Sequence, residues 1–174
     1  MKLWVRREAK IYTWPKKRVK QLFEQTRLCT MIPVNSEISV KFVDDKTMTL
    51  MNKIYRNMSQ TTDVLAFAML EEKGKPFDPA EVQSIFLDHK NSPDIPLYLG
   101  DILISVDQAK KQAFEVGNHL NKEIALLLIH GLLHLIGYDD TIDTNKTRMW
   151  EFQNYLLDNS KHIWKSASTT MKGE

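Results

Sequence analysis

Two histidines four residues apart, His130 and His134, lie in the longest apolar stretch of the chain, Ile124 to Ile136. Residues at this spacing share one face of a helix, so both imidazoles would point the same way. The helix is otherwise apolar nearly all round, which predicts that it is buried. A buried imidazole without a partner costs about 1–3 kcal/mol, and one metal ion supplies a partner to both rings at once.

The turn after this helix offers a third ligand. Gly137 predicts the end of the helix, and the returning chain can bring Asp139 or Asp140 beside the histidine face. Two histidines and one carboxylate leave a fourth tetrahedral position open for water, which is typical of a catalytic zinc site. Manganese or nickel could occupy the same ligands.

Two other interpretations of the motif must be weighed. The histidines could be core residues hydrogen-bonded to backbone or carboxylates, as a lone helical histidine usually is. The pair, followed by a glycine and two aspartates, favours the metal. A zinc peptidase of the H-E-x-x-H kind would carry its base directly after the first histidine, where this chain has Gly131.

Hydrophobic periodicity predicts about four strands and five or six helices around this motif, in an α+β or mixed α/β fold. We expect a mixed sheet packed by the helices, with the metal site on a buried helix and the turn after it. The strands are predicted over 3–12, 37–43, 62–69 and 99–106. The helices are predicted after Pro15, after a cap at Asp45, from a cap at Asp107 to Gly117, from Leu120 to Ile136, and from Asn145 to Trp164.

One segment is predicted to be irregular. Lys73 to Pro96 holds four of the six prolines and is expected to be a long loop with one helical turn. The length of 174 residues fits a single domain, predicted over residues 1–166, with a disordered tail at 167–174.

Composition is that of an ordinary globular protein, with 43% hydrophobic and 26% charged residues. No stretch is apolar enough for a membrane span, no signal peptide is evident, and Cys29 is the only cysteine, so we expect a cytoplasmic protein. Residues 1–30 carry nine basic and two acidic side chains, which leaves a net charge of −5 on the rest. This basic end could contact phosphates or could be a solvated helix face and a protected edge strand.

The run HGLLHLIGYDD, from His130 to Asp140, resembles the signature of the YbeY family of bacterial endoribonucleases. Two further stretches agree in the same order, NKIYRNMSQTTDVLAF at 52–67 and LGDILISVDQAKKQA at 99–113, and the resemblance covers roughly residues 35 to 160. It implies a strand-rich core flanked by helices, a metal held by three side chains, and cleavage of single-stranded RNA near ribosomes.

The sequence departs from the family pattern at several positions. Asp140 stands where the third ligand is normally histidine, so we expect weaker acidification of the bound water and altered metal preference. Thr61 and Ala66 stand where the family commonly has proline and serine, and the segment 73–96 is longer than the family suggests.

The resemblance implies roles for single residues. His130, His134 and Asp140 would hold one zinc ion, and Arg56, which matches the family's arginine, could neutralise charge on the phosphate or simply form a surface ion pair. Asp139 could ligate or orient a histidine, and Asp63 could support the site or cap a loop. Trp4, Trp14 and Phe23 could stack on bases but more often such residues belong to the core.

The metal-site pattern predicts a metal-dependent hydrolase. The family resemblance implies a single-strand endoribonuclease that acts in the maturation of 16S and other ribosomal RNA and in ribosome quality control. RNA and the small ribosomal subunit are the expected partners. A metal-dependent peptidase and a non-catalytic ribosome-assembly factor with a structural metal are the alternatives. The oligomeric state is not predicted.

Overall fold

The computed structural model describes residues 1–7, 14–72, 75–89, 94–141 and 143–165. Its strands are β1 (Lys2–Arg7), β2 (Ser36–Val43), β3 (Val64–Ala68), β4 (Glu71–Glu72), β5 (Lys75–Pro76) and β6 (Leu97–Ser105). The helices within these ranges are α1 (Lys16–Thr30), α2 (Asp45–Arg56), α3 (Pro79–His89), α4 (Val106–Glu115), α5 (Leu120–Leu135), α6 (Asp143–Asn159) and α7 (Lys161–Lys165).

A four-stranded mixed sheet in the order β1-β2-β6-β3 organises the fold. β1, β2 and β6 run parallel, and β3 pairs antiparallel to β6 at the edge. Alternate residues of β2, Ile38, Val40 and Phe42, are buried in the main core, as period-two alternation predicts. On the opposite face Met48 of α2 covers a second, smaller cluster of apolar side chains, Val43, Leu65 and Leu103. The predicted mixed α/β fold with a four-stranded sheet is therefore confirmed.

Helix α5 packs across β3 and β6 and is buried along most of its length. Gly131 lets it approach the sheet closely, because a Cβ there would lie 2.8 Å from Cγ2 of Ile102. The helix ends at Leu135, and Gly137 follows with a φ of +91°, in the left-handed region that glycine adopts without strain. The amide of Tyr138 then donates to the carbonyl of Leu133 at 3.0 Å, so the chain turns back beside the helix.

The prediction of an irregular loop over 73–96 is wrong in its central part, where α3 lies. Asp78 accepts hydrogen bonds from the amides of Ala80 and Glu81, and the Glu81 carboxylate accepts from the amide of Asp78. This reciprocal capping box, with Pro79 in the first helical turn, nucleates the helix. The prolines mark its start rather than an absence of structure.

Smaller differences concern helix boundaries. Asp44 caps α2, accepting from the amide of Thr47, and Ser105 caps α4, accepting from the amide of Gln108; we expected Asp45 and Asp107. The predicted last helix is split into α6 and α7 at Ser160, whose hydroxyl donates to the carbonyl of Leu156 at 2.8 Å. Together with α3, this split raises the helix count in the described ranges to seven.

Some predictions lie outside the described residues. The second half of the first predicted strand, residues 8–12, and the predicted tail at 167–174 are among them. Within the described ranges, no helix is both long and apolar enough to cross a membrane.

Two glycines with positive φ predict a contrast in stability. A Cβ at Gly100 would lie 2.1 Å from the carbonyl oxygen of Phe67, whereas one at Gly117 would have no atom within 4 Å. We expect Gly117→Ala to lower the free energy of unfolding by about 1–2 kcal/mol through backbone strain alone. Gly100→Ala should lower it by roughly 3 kcal/mol or more, because the strand pairing of β3 must also shift. Urea unfolding measures both, and equal losses would contradict the close approach of β3 and β6 at this point.

Candidate metal centre

Three electron-rich atoms converge at the end of α5. Nε2 of His134 lies 3.0 Å from Nε2 of His130. The carboxylate oxygens of Asp140 lie 3.7 Å from Nε2 of His130 and 3.8 Å from Nε2 of His134. The three groups could hold a metal ion, since their ligand atoms all lie within 4.8 Å of one another. The one-turn spacing of the histidines and the bend at Gly137 produce this convergence.

The other ring nitrogens define the tautomers of both histidines. Nδ1 of His134 lies 2.9 Å from the backbone carbonyl oxygen of Tyr138, and Nδ1 of His130 lies 2.9 Å from Oε1 of Gln153. A carbonyl oxygen only accepts hydrogen bonds, so each Nδ1 must carry the proton. Each neutral ring therefore directs an unprotonated Nε2, with its lone pair, toward the other ring and toward Asp140.

None of the three groups can donate a hydrogen bond to the others. Only a cation or an added proton can therefore offset the repulsion between their lone pairs. Burial, followed by the charge of His130, lowers the pKa of His134, whereas Asp140 opposes this shift. Protonation of His134 is thereby disfavoured. Two metal–nitrogen bonds of about 2.0–2.1 Å at a tetrahedral ion separate the nitrogens by about 3.3 Å, close to the distance observed. The residues present therefore fit a divalent transition metal.

Asp139 does not join this cluster. Its carboxylate accepts hydrogen bonds from the amide of Thr141 at 2.9 Å and from its hydroxyl at 2.7 Å. These hydrogen bonds hold the pKa of Asp139 below its usual value. Its two oxygens thus stabilise the turn that carries Asp140, a distinction between neighbouring aspartates that the family resemblance implied and residue spacing alone left open.

Arg56 is the last residue of α2 and is exposed. Its positive charge contributes to lowering the pKa of His134, which places the guanidinium within electrostatic reach of the cluster. Among the described residues it forms no ion pair, so the alternative of a surface ion pair finds no partner there.

Asp63 lies in a different polar network. Its carboxylate accepts from the amide of Val64, the hydroxyl of Thr62 and the side-chain amide of Gln112. The negative charge of Asp63 adds to burial in raising the pKa of Glu123, near the start of α5. These contacts link the start of β3 to α4.

Sequence analysis missed the two groups that orient the histidines. Gln153 is buried on α6 and holds His130, while the Tyr138 carbonyl holds His134. A signal for Gln153 was available, because it follows Met149 by one helical turn and precedes Leu156 on the same buried stripe. A polar side chain in such a stripe requires a buried partner. The Tyr138 carbonyl has no sequence signal, because any residue supplies one.

Several aromatic and basic residues near the N-terminus have structural contacts. Trp14 and Phe23 are fully buried in the main core, whereas Trp4 is exposed. Lys2 pairs with Glu37 at 2.9 Å and Arg27 pairs with Glu24 at 2.8 Å.

Because Gln153 holds His130 in the tautomer with a free Nε2, we expect Gln153 to increase the affinity of the site for metal. Gln153→Leu removes the acceptor for Nδ1 of His130 and should weaken metal binding by about 10–100-fold, as loss of such a partner typically does. Gln153→Glu keeps an acceptor oxygen in the same place and should bind much more tightly than the leucine variant. Competition with a chelating dye measures the affinities. Unchanged affinity in Gln153→Leu would show that the hydrogen bond does not orient the ligand.

Comparison with known proteins identifies the family. A family profile described as "Endoribonuclease YbeY" matches residues 6–161. Proteins named Endoribonuclease YbeY are similar to the chain. The relative from Geobacillus thermodenitrificans is 37% identical over 139 residues, covering 80% of this chain and 82% of the relative. The relative from Exiguobacterium sibiricum is 34% identical over 158 residues, covering 90% and 94%.

A solved structure supports the fold independently. The solution structure of a Thermotoga maritima protein matches 98% of this chain and 99% of its own length, with a TM-score of 0.59 and 23% sequence identity. The profile spans most of the chain, and the relatives exceed 30% identity over most of both lengths. This chain therefore belongs to the YbeY family of endoribonucleases.

Proposed function

We propose that the protein is a metal-dependent endoribonuclease that cleaves single-stranded RNA during the maturation of 16S and other ribosomal RNA and in ribosome quality control. The observation that carries this proposal is the convergence of two unprotonated imidazole nitrogens and a carboxylate in a chain of this family. RNA bound to the small ribosomal subunit is the proposed substrate, and the cytoplasm is the proposed location.

His130, His134 and Asp140 would hold the metal, for which zinc is the best candidate because of the mixed nitrogen and oxygen donor set. Gln153 and the Tyr138 carbonyl keep the two imidazoles in the tautomer that a metal requires. A bound divalent ion supplies Lewis acidity toward a phosphodiester oxygen.

Arg56 is the proposed phosphate-binding residue. Its guanidinium has no ion-pair partner among the described residues and is close enough to the cluster to affect His134 electrostatically. A guanidinium can donate two parallel hydrogen bonds to a phosphate and stabilise charge that develops on it during cleavage.

Asp140 distinguishes this chain from the family pattern, which has histidine there. A carboxylate makes the net charge of the donor set one unit more negative than that of three neutral histidines. We therefore propose weaker Lewis acidity of the bound ion and a changed metal preference. Asp139 and Asp63 are not proposed as ligands, because their carboxylates are engaged by Thr141 and by Gln112.

The peptidase alternative is disfavoured by packing. The residue after the first histidine, Gly131, faces β6, and even a Cβ would lie 2.8 Å from Ile102. A glutamate base could not be accommodated there without displacing the sheet. In the described part of the chain, no carboxylate outside Asp140 joins the ligand cluster.

The proposal predicts that removal of one histidine abolishes cleavage. Loss of a residue that only orients a ligand typically costs about 10–100-fold. His134→Ala removes a ligand itself and should lower the cleavage rate of single-stranded RNA by more than that. His162→Ala is the matched control, because this histidine is exposed on α7 and lies outside the cluster. Gel-based cleavage assays measure both, and equal cleavage by the wild type and His134→Ala would refute the metal-nuclease mechanism.

Metal removal separates this proposal from the assembly-factor alternative. We expect a chelator to stop cleavage while the urea midpoint falls only modestly, because the core closes through apolar packing around α5. Unfolding on chelation, with no cleavage activity to lose beforehand, would favour a structural metal instead.

A further inference from the structure

An aromatic pair with an exposed member lies at the C-terminal end of α2. The ring of Tyr55 packs against the ring of Phe67 on β3, with centroids 4.7 Å apart and planes inclined by 58°. Phe67 is partly buried against the smaller apolar cluster, so its position is fixed by the core. Tyr55 is 62% exposed, which leaves most of its surface open to solvent.

The packing of α2 does not require this aromatic ring. Met48, Met51 and Tyr55 follow one helical stripe, and their burial decreases along it, from a fully buried Met48 through a partly buried Met51 to the exposed Tyr55. Three other large apolar side chains in α2 or just after α2 and β3 are between 44% and 60% exposed: Ile54, Met58 and Met69. Large apolar side chains that stay exposed can form part of a binding surface.

Positive charge accompanies the exposed ring. Arg56 directly follows Tyr55 and is exposed at the last position of α2. Lys53 adds a second cation in the last turn of α2. Neither residue forms an ion pair with any part of the chain that the structure describes. A ligand lying on Tyr55 would therefore meet unpaired positive charge in the last turn of α2.

We propose that Tyr55, supported by Phe67, is a stacking platform for one unpaired base of the RNA substrate, with the adjacent phosphate bound by Arg56. The inference rests on the proposed endoribonuclease function and names a specificity-determining residue for it. Every base has an aromatic face, so the platform would not select base identity.

The platform would select single strands. In a duplex each base is stacked between its neighbours and paired, and only a base that is splayed out of the strand can expose a face to a protein ring. A substrate must therefore be unpaired at the nucleotide that reaches Tyr55. The unpaired positive charges of Lys53 and Arg56 in the last turn of α2 favour a polyanion over a protein partner as the occupant.

The test is a binding experiment with abasic oligonucleotides. A 2′-O-methyl single strand, which keeps its bases and resists cleavage, is labelled with a fluorophore, and one abasic nucleotide is moved along it. Fluorescence anisotropy gives the dissociation constants. For the wild type we expect one abasic position to weaken binding about tenfold, as the loss of one stacked base does.

Variants connect that position to Tyr55. Tyr55→Ala should weaken binding of the intact strand about tenfold and should no longer respond to the critical abasic position. Tyr55→Trp should retain both the affinity and the response. Tyr155→Ala is the matched control, since Tyr155 is 55% exposed and stacks on another phenylalanine, Phe152. A duplex competitor should be rejected less strongly by Tyr55→Ala than by the control.

The outcomes separate this proposal from the one on which it rests. If the wild type binds the strand and Tyr55→Ala shows the same affinity and the same abasic profile, the stacking platform is refuted while the endoribonuclease proposal stands. If the wild type binds no single strand at all, both fail. Equal urea midpoints for Tyr55→Ala and Tyr155→Ala would confirm that the comparison reports binding rather than stability.

Discussion

The metal centre depends on one electrostatic constraint, which is that two imidazole lone pairs and a carboxylate face one another without a hydrogen-bond donor between them. The hydrogen bonds to the Tyr138 carbonyl and to Gln153 impose this constraint, because they use the proton of each ring on the far side from the cluster. A divalent cation resolves the repulsion, and the lowered pKa of His134 makes an added proton a poorer substitute.

The fold positions this cluster through helix α5. The helix is buried against β3 and β6, and Gly131 brings it so close to Ile102 that its rotation about its own axis is constrained by contact. Both histidines then necessarily face the turn at Gly137 and the helix α6 that carries Gln153. Helix α2, which contacts β6 and covers the other face of the sheet, ends at Arg56. The centre is thus assembled from two helices that pack on each other and a third whose charge reaches it.

The sequence predicted the parts of the centre that obey a helical period, and it could not predict the parts that depend on tertiary contacts. His130 and His134 were recognisable because a four-residue spacing has one geometric meaning on a helix. Residue spacing alone could not decide between Asp139 and Asp140 as the ligand. That choice depends on which of the two carboxylates Thr141 engages. Gln153 lies 23 residues from its partner, so only the buried stripe around it gave a hint. For the segment 73–96 the prolines predict a loop with one helical turn, whereas α3 spans Pro79–His89, because the Asp78–Glu81 capping box starts a longer helix.

The most direct test is a crystal structure of the zinc-loaded protein, with anomalous scattering measured at the zinc absorption edge. We expect one strong anomalous peak at bonding distance from Nε2 of His130, Nε2 of His134 and a carboxylate oxygen of Asp140. Both Nδ1 atoms should still donate to the oxygens of Gln153 and Tyr138. An ion bound through Nδ1, an ion held by Asp139 in place of Asp140, or no peak between the two histidines would contradict this expectation.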